Sequence, residues 1–89
     1  MEKITLDYPV EIGGEKTKEL TMRRCKVRDQ KAAGKAGNTD EEKETILFAN
    51  LCSVTPEFLD ELDMLDYQKV QETYESFLSP GKKSKVPAD

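Results

Sequence analysis

The chain has 89 residues, of which 36% are apolar and 36% charged, and its net charge is −4 at pH 7. This length suits one small domain, and the apolar fraction lies below the roughly 45–50% that is usual for globular chains. No apolar run approaches the roughly 18 residues of a membrane span, and the first residues lack the apolar region of a signal peptide, so we expect a soluble cytoplasmic protein.

The N-terminal residues predict a β-hairpin. Apolar and polar residues alternate from Ile4 to Ile12, which is typical of a half-buried strand, and Pro9 on the polar face favours an edge strand or a kink. The apolar face of this strand consists of Ile4, Leu6, Tyr8, Val10 and Ile12. Gly13-Gly14 predicts the turn, and a second strand follows over about Thr17–Cys25.

The length of the turn can be inferred from Leu20 and Met22, the apolar positions of the second strand. With a two-residue loop these side chains would lie on the face opposite Leu6 and Val10, whereas an odd-numbered loop or a bulge would bring all four to one face. We therefore predict a turn of three or five residues. Because two strands alone are marginally stable in water, we expect their apolar face to pack on the rest of the chain or to pair with another chain.

Residues 39–78 predict three short helices with almost no loop between them. Thr39 and Glu42 have the spacing of a capping box, Thr55-Pro56 that of an N-cap followed by proline, and Asp66 is predicted to cap the third helix. Apolar residues recur at helical spacing in all three helices. They are Ile46, Leu47, Phe48, Leu51, Cys52 and Val54, then Phe58, Leu59, Leu62 and Leu65, and finally Tyr67, Val70, Tyr74, Phe77 and Leu78.

The remaining segments have weaker patterns. Residues 26–38 favour a flexible connector over a single helical turn, and Ser79-Pro80-Gly81 is predicted to end the last helix before a disordered tail over residues 79–89. We therefore predict an α+β fold in which a two-stranded hairpin over residues 2–25 packs on the block of three short α-helices. Residues 1–78 are expected to form a single domain.

The composition offers little to a catalytic or metal site. The chain has no histidine, and no serine or cysteine stands beside a motif that would activate it. Two cysteines are too few for a structural zinc site, so we expect Cys25 to be a free thiol and Cys52 to be buried. The acidic residues of 57–66 lack the spacing of a calcium-binding loop and are expected to face solvent. We predict that the protein is not an enzyme and needs neither cofactor nor metal.

The charges are divided between two segments. Residues 16–35 have eight cations and two carboxylates, whereas residues 40–75 have eleven carboxylates and two cations. Such opposite charges predict either pairing within the chain or head-to-tail association between copies. Clustered cations also bind phosphate groups, so the alternative function is a small nucleic-acid-binding or regulatory protein that uses residues 16–35. No aromatic residue lies among these cations, and we favour the interpretation that they face the acidic block or solvent.

The order and spacing of the segments from Ile4 to Leu78 resemble the tail assembly chaperones of long, contractile-tailed, Mu-like bacteriophages. The segments that match are Leu6–Pro9, Gly13-Gly14, Glu19–Arg24, Val27, Asp29, Leu47–Val54, Leu62, Asp66 and Phe77-Leu78. The resemblance implies a non-catalytic chaperone that binds the tape-measure protein, a very long helical chain, and keeps it soluble until the tail tube polymerises. It also implies action in the cytoplasm of the bacterial host and absence from the mature virion.

The resemblance further implies which partners to expect. They are the tape-measure protein and a longer version of the chain made by ribosomal frameshifting near the end of the gene. Our hypothesis is that Pro80-Gly81-Lys82-Lys83 is encoded by the slippery run. The opposite charges of the two segments add other copies of the chain as expected partners. Neither a membrane nor a nucleic acid is an expected partner.

Candidate partner-binding residues fall into two groups. Arg23 and Arg24 are charged residues at the end of a strand, within one of the matching segments. Tyr67, Tyr74 and Phe77 share the apolar face of the third helix. Core packing is the main role expected for these three aromatic residues. Three short helices over two strands nevertheless leave a residual groove that can accept a partner helix.

Overall fold

The computed structural model describes residues 1–78 of the chain. It contains two strands followed by four helices: β1 (Glu2–Ile12), β2 (Glu15–Met22), α1 (Val27–Ala36), α2 (Asp40–Cys52), α3 (Pro56–Asp60) and α4 (Met64–Phe77). The α+β class and the N-terminal antiparallel hairpin are confirmed. The predicted helix stop at Ser79-Pro80-Gly81 and the predicted disordered tail over 79–89 lie outside the described residues.

The hairpin turn is shorter than the sequence predicts. Ile12 pairs with Glu15, so the loop consists of Gly13 and Gly14 alone, and the prediction of three or five residues is wrong. The φ angles of the two glycines are +59° and +85°. Positive φ at both central positions is typical of the two-residue turns that match the twist of a hairpin, and glycine adopts it without steric cost.

A large bulge in β1 brings Ile4 to the same face as Leu20 and Met22 of β2. Thr5 pairs with Glu19 and Val10 with Thr17, so the four residues between Thr5 and Val10 lie opposite one residue of β2. Pro9, which cannot donate a hydrogen bond to the ladder, lies inside this bulge. The odd-numbered shift in register that is predicted for the turn therefore occurs in the bulge, which places Ile4 opposite Leu20.

The bulge also changes which side chains are buried. Ile4 pairs with Leu20, so Ile4, Leu20 and Met22 share one face of the hairpin. Leu6, inside the bulge, and Val10, beyond it, are buried as well, and none of the five is more than 4% exposed. Tyr8 and Ile12, which strict alternation places on that face, are instead 57% and 44% exposed. Alternation therefore fails at Tyr8, inside the bulge, and at Ile12, beside the turn, and predicts the other buried residues of β1 correctly.

Residues 27–36 form helix α1, so the prediction of a flexible connector over 26–38 is wrong. Asp29 is the third residue of α1, and its carboxylate accepts a hydrogen bond from the Lys26 N–H at 2.8 Å. The helix packs on α2 through Ala33, which is 2% exposed. A Cβ atom at Gly37, just after α1, would lie 2.8 Å from the Lys43 backbone nitrogen, so glycine permits the close passage from α1 to α2.

The predicted caps of α2 and α3 are confirmed. Thr39 Oγ1 accepts a hydrogen bond from the Glu42 N–H at 3.1 Å, and Thr55 Oγ1 accepts one from the Phe58 N–H at 3.2 Å. The Glu42 carboxylate, however, accepts from the N–H of Asn38 and not of Thr39, so only half of the predicted capping box forms.

The cap of α4 differs from the prediction. The helix begins at Met64, and Asp63 is its N-cap, with Oδ2 accepting a hydrogen bond from the Leu65 N–H at 3.0 Å. Asp66, the predicted cap, is the third residue of the helix, and its side chain is fully buried. Leu65, predicted to be apolar and packed, is 46% exposed.

The core lies between the apolar face of the sheet and helices α2, α3 and α4. Leu51, Val70 and Met22 are its most deeply buried apolar side chains. Cys52 is buried and Cys25 is partly exposed, and both are free thiols, as predicted. Burial raises the pKa of the Cys52 thiol to about 11. No helix within residues 1–78 combines the length and the apolar character needed to cross a membrane.

Candidate functional site

Helix α4 is fixed to the bulge of β1 by the buried Asp66. Its two carboxylate oxygens accept hydrogen bonds from the backbone N–H groups of Asp7 and Tyr8, each at 2.9 Å. The Nζ atom of Lys69, one turn along α4, lies 3.1 Å from the Asp7 carboxylate and donates to the Thr5 carbonyl at 2.9 Å. This network holds α4 in the orientation that shapes the grooves described below.

Burial acts to raise the pKa of Asp66, but the hydrogen bonds from Asp7, Tyr8 and Lys69 outweigh it, so the pKa lies below its usual value. The Lys69 pKa is raised, mainly by its hydrogen bond to Asp7. Both groups are therefore charged at neutral pH. A buried carboxylate that accepts backbone N–H groups acts as a structural anchor.

The two candidate arginines have different environments. The Arg23 guanidinium donates two hydrogen bonds to Asp29, at 2.8 and 2.9 Å, and so joins the end of β2 to α1. This pair holds the pKa of the Asp29 carboxyl well below its usual range. Arg24 is exposed, and its guanidinium carbon lies 5.3 Å from the centre of the Phe77 ring. It also donates to the Phe77 carbonyl at 3.1 Å, at the C-terminal end of α4.

The candidate tyrosines pack on either side of one buried phenylalanine. The rings of Tyr67 and Tyr74 lie 5.9 and 5.2 Å from the ring of Phe48, both in tilted arrangements. The Tyr67 hydroxyl donates to the Glu44 carboxylate at 2.8 Å, and burial together with this carboxylate raises the Tyr67 pKa to about 12. Both rings remain partly exposed, so each contributes to the core and to the surface.

An open cleft of about 380 Å³ lies between α1, α2 and α4, and we call it the aromatic cleft. Its apolar lining consists of Ala33, Gly34, Leu47, Phe48 and Tyr74. Polar side chains that include Gln30, Lys43, Gln71 and Glu75 lie around it. A concave apolar surface with a polar rim is the usual form of a site for an amphipathic helix or an apolar side chain of a partner.

A second, wider groove of about 840 Å³ lies between α2, α3 and α4, and we call it the acidic groove. Its apolar lining includes Ile46, Leu59, Leu62, Met64 and Tyr67. Four carboxylates and no cation are among its lining residues, the acidic ones being Glu41, Glu42, Glu44 and Asp60. Glu44 and Gln71 are hydrogen-bonded to each other at 2.9 Å and line both grooves, so they form the ridge that separates them.

The five candidate residues do not form one patch. Tyr74 lines the aromatic cleft and Tyr67 the acidic groove, while Arg24 contacts Phe77 at the end of α4. Arg23 is bound to Asp29 of α1. Helix α1 contributes Ala33 and Gly34 to the aromatic cleft. A flexible connector over residues 26–38 would not form this side of the cleft, so the sequence does not predict it. Among residues 1–78, no three side chains of metal-binding type lie close enough together to hold an ion.

The amino-acid sequence matches a known protein family over most of its length. A family model described as phage tail assembly chaperone proteins, E, or 41 or 14, matches residues 3–79. The chain belongs to this family. The match includes both strands and all four described helices of the chaperone, and it confirms the resemblance noted above at the level of the family. No curated protein and no solved structure matches the chaperone.

Proposed function

We propose that this chaperone binds the phage tape-measure protein and keeps it soluble in the cytoplasm of the bacterial host until the tail tube polymerises around it. The role is non-catalytic, and the chaperone is displaced before the virion is complete. Membership of the tail assembly chaperone family supports the proposal. The aromatic cleft supports it from the structure, because its open apolar surface suits the apolar face of a helical client.

The aromatic cleft can act as such a site without rearrangement of the fold. Phe48 and Leu47 are held in place by the core and form its floor, whereas Tyr74 and Gly34 border it from α4 and α1. A client helix that inserts apolar side chains here would cover apolar surface of both proteins. The free energy gained by burying this apolar surface is partly offset by the loss of translational and rotational freedom on association.

Co-expression with the tape-measure protein of the same phage tests the function directly. The soluble fraction of the tape-measure protein should rise when the chaperone is present, and the two proteins should co-purify. A tape-measure protein that stays equally insoluble, or that never co-purifies with the chaperone, would contradict the proposal.

A single substitution tests the assignment to the aromatic cleft. Gly34 lines the cleft, and a Cβ atom there meets nothing within 4 Å, so the first side-chain atom of Gly34→Gln fits without a clash and the remainder adds bulk at the cleft. Glycine is also the poorer helix former, so the variant should be at least as stable as the wild type. Ala36→Gln is the matched control, since Ala36 is exposed on the same helix and does not line the cleft. Only Gly34→Gln should weaken co-purification.

A further inference from the structure

The acidic groove has a fixed carboxylate at its border with the aromatic cleft. Glu44 Oε2 accepts hydrogen bonds from the Tyr67 hydroxyl at 2.8 Å and from the Gln71 side-chain amide at 2.9 Å. Both bonds go to the same oxygen, and Oε1 accepts no hydrogen bond from any residue of 1–78. Glu44 is therefore held in one position while its second oxygen remains available to a donor from another molecule.

The carboxylates of the acidic groove have no cationic partner within the described part of the chain. The ion pairs found there are Lys3–Glu19, Arg23–Asp29, Lys69–Asp7 and Lys69–Asp66. None of the four joins a cation of residues 16–35 to a carboxylate of residues 40–75, and none includes a carboxylate of the groove. The groove therefore combines an apolar surface with four negative charges that no residue of 1–78 neutralises.

This combination restricts the chemistry of an occupant. A wholly apolar segment would remove water from the carboxylates without replacing its hydrogen bonds, which costs free energy. A small cation would leave the apolar lining uncovered, including Met64, which is 67% exposed. The groove therefore suits a peptide segment that carries lysine or arginine side chains next to apolar ones.

The acidic groove adjoins the aromatic cleft along α4. Met64 lines the groove and Glu75 lines the cleft, and the eleven positions between them correspond to about 16 Å of helix. A client segment of about three helical turns is therefore long enough to contact both surfaces. Once its apolar side chains lie in the cleft, its neighbouring residues are at a high effective concentration near the groove.

We propose that the acidic groove binds a basic segment of the client, in which lysine or arginine side chains contact Glu44 and the neighbouring carboxylates while apolar side chains cover Met64. The cleft then selects apolar side chains and the groove selects cations, so the two surfaces together determine which segments of a long helical chain are bound. The client is the tape-measure protein, so this proposal rests on the proposed function.

Two groove variants test the contact by co-expression and co-purification with the tape-measure protein. Glu44→Gln removes the charge, and its amide oxygen can still accept hydrogen bonds from Tyr67 and Gln71. Glu41→Gln/Asp60→Asn neutralises two exposed carboxylates that line the groove and not the cleft. Glu44→Gln should bind the client about tenfold more weakly than the wild type, and the double variant about threefold more weakly.

Glu57→Gln/Glu61→Gln is the matched control. It removes the same charge as the double variant, from exposed residues of α3 and its C-terminal end that do not line the groove. The control should bind the client like the wild type, and circular dichroism should show that all variants are folded. If Glu44→Gln does not fold, Glu41→Gln/Asp60→Asn tests the proposal alone, because neither carboxylate belongs to a described ion pair.

Salt dependence provides a second readout. The amount of client that the wild type retains should decrease as NaCl is raised from about 0.05 to 0.5 M, since salt screens attraction between charges. The decrease should be less steep for Glu41→Gln/Asp60→Asn, which has lost two of the four groove charges. Equal salt dependence in the two proteins would overturn the proposal.

The outcomes separate this proposal from the proposed function. Groove variants that bind the client as well as the wild type does would overturn the basic segment and leave the proposed function intact. A control that binds as weakly as the groove variants would reduce the effect to net charge, and groove variants that change only the mass of the chaperone without client would assign the groove to a second copy. Either result would also overturn the proposal. A wild type that never co-purifies with the tape-measure protein would overturn both.

Discussion

The Asp66 carboxylate accepts a hydrogen bond from the Asp7 backbone N–H at 2.9 Å, across 59 positions of sequence. This contact satisfies an N–H group that the bulge removes from the β-ladder, and a second one to Tyr8 does the same. It also covers part of the edge of β1 with a helix, which protects the strand from pairing with another chain. Asp66 therefore links the local irregularity of the hairpin to the position of α4.

Replacing Asp66 by asparagine should destabilise the fold. The side chain keeps its size, but its amide group cannot accept both backbone N–H groups, and Lys69 loses a charged neighbour. Loss of a hydrogen bond to a charged group costs about 1.5–3 kcal/mol, and urea unfolding should show a decrease of this size in the free energy of unfolding.

Asp63→Asn is the matched control for Asp66→Asn. Asp63 is the exposed N-cap of the same helix, and asparagine is an equally good cap. The control should unfold nearly like the wild type. Equal losses of stability in the two variants would contradict the anchoring role assigned to Asp66.

Stability should fall in acid because Asp66 and Asp29 have lowered pKa values in the folded chain. Each carboxylate holds its proton more weakly in the folded than in the unfolded chain, where the pKa is about 3.9. Their stabilising contribution is therefore fully present above that value and is lost as the pH falls through the lower, folded pKa values.

Urea unfolding at a series of pH values from neutral to strongly acidic checks this expectation. The free energy of unfolding should decrease steadily below about pH 4, and Asp66→Asn should decrease less steeply than the wild type because it lacks one of the two groups. Parallel curves for the two proteins would contradict the assigned shift at Asp66.

Arg23 and Arg24 should respond differently to substitution by glutamine. Arg23→Gln leaves the buried Asp29 without its two charged hydrogen bonds, so we expect a loss of about 1–3 kcal/mol. Arg24 is exposed and contacts the Phe77 ring and carbonyl, for which about 0.5–1 kcal/mol is expected. Thermal unfolding of both variants checks this order, and a larger loss for Arg24→Gln would contradict it.

The predicted partner-binding role of these arginines can be measured with the same variants. The Arg23 guanidinium is already bound to Asp29 of the same chain. If Arg23→Gln binds the client more weakly, we therefore expect the cause to be its lower stability and not a lost contact with the client. Arg24→Gln separates the two effects, since an exposed residue can lose binding while the fold remains stable. Unchanged co-purification by Arg24→Gln would remove Arg24 from the list of candidate contacts.

Tyr74 should contribute to stability through its ring and not through its hydroxyl. The ring lies 5.2 Å from that of Phe48 and is only partly buried, so Tyr74→Ala should cost about 2–3 kcal/mol, less than a fully buried aromatic residue. Tyr74→Phe keeps the ring and should unfold nearly like the wild type. A large loss in Tyr74→Phe would show that the hydroxyl carries the effect.

The features that the sequence predicts correctly depend on nearby residues. Thr39 and Thr55 cap helices through hydrogen bonds that span three positions, and the helical spacing of Leu47, Phe48 and Leu51 places all three in the core. All the residues that form such a signal lie within about one helical turn of each other, so the sequence alone reveals it. The α+β class follows from them and from the alternation in β1.

The features that the sequence does not reveal depend on contacts between distant segments. Asp66 has the local pattern of a cap, and only the bulge 58 and 59 positions away explains why it is buried. Helix α1 has a weak apolar pattern of its own, and it is stabilised by Asp29 and by packing of Ala33 on α2. The aromatic cleft could not be predicted, because α1 forms one of its sides.

Amide hydrogen exchange of the chaperone, with and without co-purified tape-measure protein, tests the central claim most directly. We expect slower exchange in α1 and in α4 around Tyr74, which border the aromatic cleft, and unchanged exchange at the Gly13-Gly14 turn. Unchanged exchange in α1 and α4, or protection confined to the hairpin, would contradict the account.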